Sequence, residues 1–397
     1  MPQNKIQLAI MERQAGDLPI TNLSFADFTS YDTLLCRRKI QGSFANIFSY
    51  PYYYPTARGE EEARQAIAEY YAKKPKPLRQ EINPENLLLT SAVNQSLLYL
   101  FKIFSTEDSE ILVANPHSPS LDEIAFFLDI KLKNFSLNPE ENWQINLDNL
   151  ESKITPKTRA IFIATPDLPT GAVQNESTLI KLLELAAKNK ITLIVDESMS
   201  DFIYGETVYP SISNLQFPDQ TVIFLNSLSN GFALPGFKLS WIRFSGNQEI
   251  IDDLIGSTEY LADTFLTLNQ LSQTVLPELV KYSRKWRKNF VKSIEKNRQI
   301  LVSKLKKSPQ LKLHAPAGGF YSFIEVQDWP NNSDENTASE DFVIALLQET
   351  GVYVHPGQYY GQKQGCYFMI CFLQDQRTLR SSLKKINKFL KARFSSK

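Results

Sequence analysis

The residues of this chain that could do chemistry sit where short apolar runs end. TLIVDE (192–197) carries Asp196, and TVIFLN (221–226) runs into SLSNGFALPGFK, which holds Ser227, Ser229, Asn230 and Lys238. An aspartate ending a buried strand needs a partner, so Asp196 reads either as a ligand-binding group or as an acceptor capping the next turn. Ser227 and Ser229 read either as loop-capping serines or, with Lys238, as an anion site. Asn230 brings an amide, whose nitrogen is not a nucleophile and has no useful pKa. His117 and His355, in proline-containing loops, are the candidates for acid–base work against the ordinary reading of surface histidines. With three histidines in all and no Cys-x-x-Cys, no metal site is expected.

These residues need a scaffold that brings strand ends together. LLLTS (87–91), EILVANP (110–116), AIFIAT (160–165), TLIVDE and TVIFLN are apolar runs of strand length. Helical periodicity lies between several of them, as in ESTLIKLLELAAKNK (176–190). That alternation predicts an α/β chain with a mostly parallel sheet covered on both faces. Ligands in such sheets bind beyond the carboxyl ends of the strands, here Ser91, Pro116, Thr165, Asp196 and Asn226. Residues 59–72 read as a helix, and the first 50 residues as irregular. Beyond about 265 a long charged helical stretch (266–307) leads to HAPAGGFYSFIEV, a helix near 338–350, GVYVHPGQYYG, CYFMICF and a basic helix. This second part reads as a smaller α+β domain. The division expected is an N-terminal arm at 1–50, a large domain at 51–290 and a small domain at 291–397.

Composition narrows the class. The 397 residues carry 43 basic and 43 acidic side chains, so net charge gives no reason to expect a nucleic-acid partner. No apolar run is long enough to span a membrane, and no membrane partner is expected. MPQNKIQLAIMERQ lacks the apolar core of a secretory signal, and three cysteines suit a reducing, cytoplasmic setting. The basic C-terminal stretch reads as a solvated helix face.

From about residue 50 to 390 the chain resembles the class I/II aminotransferases, enzymes of pyridoxal phosphate (PLP) fold type I. Six segments carry the resemblance in the family's order: YPTARGEEEARQAIAEYY, LLLTSAVNQSL, LIVDES, NSLSNGFALPGFK, APAGGFYSFIEV and GVYVHPGQYYG. The resemblance implies a large domain built on a seven-stranded type of sheet, a small domain, and a homodimer with pockets at the interface. It places Ala92, Val93 and Asn94 at the phosphate as a helix N-terminus, with Ser227, Ser229 and Lys238 beside them. Asp196 would face the pyridine nitrogen, and Tyr54 would reach the neighbouring subunit's phosphate.

The same resemblance exposes departures. Position 230 is where family members carry the lysine that holds PLP as a Schiff base and moves the substrate's proton; here it is Asn230. Leu168 and Met199 stand where the cofactor's phenolic oxygen finds its partners. Ser118 replaces the stacking aromatic, and Met369 replaces the arginine that clamps a substrate carboxylate. Lys238 takes the place of an arginine, a mild change for a phosphate contact. The expectation is an aminotransferase-like protein without standard transamination: a repurposed enzyme of amino-acid-derived biosynthesis, or a non-catalytic homologue, taking a small anionic ligand. If it is an enzyme, Asn230, Asp196, Lys238 and Tyr54 are the groups to test. PLP is expected to bind, if it does, other than as an internal aldimine, and no cofactor is the competing expectation. The alternative is a PLP-dependent aminotransferase or lyase, seen as a lysine-to-asparagine variant or holding PLP non-covalently.

Overall fold

A computed structural model describes residues 5–31, 41–42, 56–74, 81–215, 220–329 and 337–394. Its N-terminal segment departs from the irregular stretch expected. Helix α1 (Lys5–Ala15) buries Ile6 and Ala9, and β1 (Thr21–Asn22) pairs in parallel with β12 (Val352–Tyr353). Only two positions of α1 are buried, which leaves a helical periodicity too sparse to read.

The main sheet contains β2 (Leu87–Thr90), β3 (Glu110–Asn115), β4 (Lys131–Asn138), β5 (Gln144–Ile145), β6 (Thr158–Ala164), β7 (Thr192–Asp196), β8 (Val222–Ser227) and β9 (Ser240–Ser245). Their order is β2-β9-β8-β7-β6-β3-β4-β5, with β8, β7, β6, β3 and β4 mutually parallel. The eighth strand, β5, is a two-residue antiparallel addition to the seven-stranded pattern. Strands such as β2 and β8 are buried along their whole length, as a sheet covered on both faces requires. One face packs on α3 (Val93–Phe104), α4 (Pro119–Leu128) and α8 (Gln248–Phe265) through Leu97, Phe101, Leu121 and Leu254. The other packs on α6 (Glu176–Lys188) through Leu179, Leu182 and Leu183. Helix α2 (Glu61–Ala72) and α9 (Gln270–Tyr282) close the β2–β9 end around Trp241.

Two short helices join strands to this frame, α5 (Leu147–Lys153) and α7 (Leu228–Gly231). The helical stretch expected over 266–307 is two helices that meet at Ser283, α9 and α10 (Arg284–Leu305). Position 290, the expected domain division, lies inside α10. A second sheet is antiparallel, in the order β10 (Leu311–Leu313), β11 (Tyr321–Val326), β14 (Tyr367–Cys371), β13 (His355–Pro356). Helices α10, α11 (Ala338–Thr350) and α12 (Gln376–Phe394) share its core, with Trp286, Phe342, Leu346, Leu383 and Ile386.

Candidate functional site

The strand ends converge at one edge of the main sheet. Thr90, Ser240 and Ser227 pair directly across β2, β9 and β8, so their side chains lie on one face. Thr90 Oγ1 is 2.7 Å from Ser96 Oγ on α3, which puts that face toward the N-terminus of α3. Ala92 caps α3 without a side-chain bond. The amides of Gln95 and Ser96 both donate to Ala92 O, leaving the Val93 and Asn94 amides ahead of the intrahelical ladder. The Asn94 side chain donates to Ser120 Oγ at 3.2 Å. Ser240 Oγ is buried without a partner. An orphaned hydroxyl beside an open helix N-terminus is a local donor set suited to an anion.

Ser227 is buried and caps α7, while Ser229 and Asn230 are half-buried within it. Lys238 is exposed, with a left-handed φ of 50°, at the end of the short helix Pro235–Phe237. Asp196 pairs with Ala164 and Leu225 in the sheet. Its Oδ1 accepts from Ser198 N at 2.8 Å, so the carboxylate caps its own turn. Burial raises its pKa despite that bond.

The positions implied for ring and substrate contacts are packed into hydrophobic cores. Met199 is 5% exposed among small-domain residues, and its Sδ lies 3.0 Å from where a Cβ on Gly319 would stand. Leu168 bridges the two large cores. Met369 is 1% exposed and sits beside Phe323 and Tyr360. Ser118 caps α4 at the end of β3. At the positions the resemblance implies, the donors suit the phosphate end of PLP, while no amine stands at 230 and the thioether of Met199 and isobutyl of Leu168 would offer a phenolic oxygen no hydrogen bond.

Neither histidine is free to act as a surface residue would. His117 is 3% exposed. Its Nδ1 lies 2.7 Å from Ala114 O and its Nε2 3.1 Å from Asp122 Oδ2, and the hydrogen bond to His117 holds the Asp122 carboxyl low. His355 Nδ1 is 2.9 Å from the Tyr360 hydroxyl, and burial lowers its pKa to about 4. Tyr54 lies outside the described residues.

Sequence reading missed a partly buried ionic cluster under the Asn230 loop. Asp201 Oδ2 is 2.5 Å from Arg287 NH2 and accepts from Tyr70 OH at 2.8 Å. Its Oδ1 is 3.3 Å from Lys74 Nζ, and Arg287 Nε donates to Gly231 O at 3.2 Å. Burial alone would raise the Asp201 carboxyl, but Arg287 and Lys74 outweigh it and hold the group well below the carboxylate range. Asp167, also missed, is 4% exposed, and its Oδ2 accepts from Thr170 Oγ1 at 2.5 Å. Burial pushes its pKa up to about 6. These partners are far apart in sequence or hidden in turns, and no local pattern announces them.

The comparisons agree with this architecture. The model of the family described as Aminotransferase class I and II matches residues 37–386. An aspartate aminotransferase of Pyrococcus horikoshii is 27% identical over 342 residues, covering 85% of this chain and 83% of that protein. A tyrosine aminotransferase of Dictyostelium discoideum is 25% identical over 348 residues, covering 85% and 80%. The solved structure of an alanine aminotransferase from Pyrococcus furiosus superposes with a TM-score of 0.90 at 25% identity, covering 98% of this chain and 97% of that one. The chain belongs to the aminotransferase class I and II family, with the PLP fold type I architecture.

Proposed function

We propose that this chain is an aminotransferase-like protein that no longer performs standard transamination and keeps a small-anion site at the phosphate end of the pocket. The observation that carries the reading is Asn230, set in the one-turn helix α7 with Met199, Leu168 and Met369 built into the surrounding cores. Each lost hydrogen bond removes about 1 kcal/mol and the lost ring stacking a similar amount. Together they weaken a grip on the PLP ring by orders of magnitude. The Val93 and Asn94 amides, Ser227, Ser229, Ser240 and, at the rim, Lys238 supply the anion contacts. Asp196 serves its own turn.

PLP, where bound, supplies the electron-withdrawing ring on which the family's chemistry depends. The chain's residues offer that ring no proton-transfer group at 230 and no cation at 369. A homodimer accords with this family reading and with the exposed apolar residues Tyr260, Phe265, Leu266 and Leu271; Tyr54 would then complete the partner's anion site. The setting we assign is cytoplasmic. The second reading, a working aminotransferase or lyase holding PLP non-covalently, draws on the retained Asp196 and on the named activities of the relatives.

Calorimetric titration separates the two. If only the phosphate end binds, inorganic phosphate and PLP bind within about tenfold of each other, and Ser229→Ala weakens both alike. PLP binding more than about 100-fold tighter than phosphate would establish a ring site and overturn the proposal.

A further inference from the structure

The chain is neutral overall, with 43 charges of each sign, yet the charge is segregated. Helices α10 and α12 together hold fifteen Lys and Arg and a single acid, Glu295. Taking these away leaves 28 basic residues against 42 acidic ones elsewhere. Glu295 is also turned aside, its carboxylate accepting from Gly205 N at 3.3 Å.

The fold places the two helices side by side. Asn297 donates to Gln374 O at 2.7 Å, and Asn387 donates to Lys304 O at 3.1 Å, so the helices run in the same direction. Both bury one stripe in the same core: Trp286, Phe290 and Ile294 on α10, and Leu379, Leu383 and Ile386 on α12. Their reverse sides therefore form one outward face. The 22 residues of α10 and 19 of α12 make each helix about 30 Å long.

Thirteen of the fifteen cations are exposed, nine of them lysines such as Lys288, Lys292, Lys384 and Lys388. Among the described residues, twelve of the thirteen have no acidic partner within 4.0 Å, Arg393 being the exception. The half-buried pair is engaged elsewhere, Arg287 with Asp201 and Arg298 with Pro316 O; Arg393 pairs with Glu349, and Lys385 donates to Thr350 O at 3.0 Å. Like charges crowded on one face repel each other, and an opposing sheet of anions relieves that repulsion.

We infer that this two-helix face adsorbs reversibly to an anionic phospholipid surface. Clusters of lysine and arginine on a helix are attracted to such surfaces, and the attraction sums over residues. Two adjacent helices present their cations as a broad patch that a planar array of headgroups can meet at many points together, while a convex nucleic-acid duplex meets fewer. No large hydrophobic side chain of α10 or α12 is among the exposed ones. The face therefore has neither an apolar stripe to insert into lipid nor an aromatic platform for single-stranded bases. Contact is electrostatic and salt-sensitive. The expectation of no membrane partner came from the lack of an apolar run; among the described residues no helix is long and apolar enough to cross a membrane, and adsorption through cations requires none.

Co-sedimentation of the full chain with phosphatidylcholine vesicles, with and without phosphatidylserine, tests this at low and high salt. Binding is expected only with phosphatidylserine and only at low salt. The combined variant Lys288→Glu, Lys292→Glu, Lys384→Glu, Lys388→Glu should lower the partition coefficient by about 100-fold or more. The control Lys181→Glu, Lys188→Glu, on α6, should leave it unchanged. A circular-dichroism melt establishes that each variant is folded, and single reversals replace the combined variant if it is not. Absence of binding to phosphatidylserine vesicles at low salt, equal loss in the control, or tighter binding to duplex DNA than to the vesicles would overturn the inference.

Discussion

The guanidinium of Arg287 grips the Asp201 carboxylate at 2.5 Å and, through Nε, the carbonyl of Gly231 in α7 at 3.2 Å. One side chain from α10 thus ties the strand-end turn after β7 to the helix that carries Asn230. Asp201→Ala leaves Arg287 and Lys74 without their shared anion in a partly buried site. The expected loss in urea unfolding is at most about 3–5 kcal/mol, the range for a fully buried pair, and larger than for Asp201→Asn. An unchanged midpoint would show that the cluster holds nothing.

The same carboxylate sets an acid limit. Its folded pKa is depressed, so its contribution to stability is present above the unfolded value of about 4 and is lost as pH falls below it. Stability of the wild type should drop through that range, and the drop should shrink in Asp201→Asn.

Asp167 and His355 act in opposite senses at milder pH. Asp167 is raised to about 6 in the folded chain, so folding favours its protonated form, and stability declines as pH rises from about 4 to 6. Asp167→Asn keeps an acceptor for Thr170 and removes that decline, gaining up to about 3 kcal/mol at pH 7 and nothing near pH 4. His355 is lowered to about 4, so stability falls as pH drops from about 6.5 to 4, and His355→Asn should lose that slope. Difference curves from thermal melts across this range check both signs.

Much of the fold was legible because its signals are local. Five apolar runs with helices between them mark the sheet, and the helices at Glu61–Ala72, Glu176–Lys188 and Ala338–Thr350 fall where periodicity places them. Helix α1 was not legible, since two buried positions make no pattern. The break at Ser283 was also missed. At the site, the loop residues and Asp196 could be picked out as strand-end residues. That Asp196 would cap its own turn, and that Lys74, Asp201 and Arg287 would meet, depends on distances that only the folded chain sets.

The apolar face near the end of α8 makes a separate claim. Tyr260 and Phe265 are 73% and 65% exposed. If they lie in a homodimer interface, Tyr260→Asp with Phe265→Asp should shift the chain to monomer in sedimentation velocity. An unchanged association state would remove this surface from the interface.

Restoring the amine should not restore the reaction. Asn230→Lys supplies a nucleophile but leaves Leu168, Met199 and Met369 in place. Turnover with alanine, aspartate or tyrosine as amino donor is expected to stay at background in a coupled assay.

The most direct test of the account is intact-mass analysis of the wild-type chain after stoichiometric PLP and borohydride. An unmodified mass is expected, because no lysine stands at position 230, where the cofactor's aldehyde would be held. Incorporation of one phosphopyridoxyl group per chain, mapped by peptide digestion to a single lysine, would contradict it.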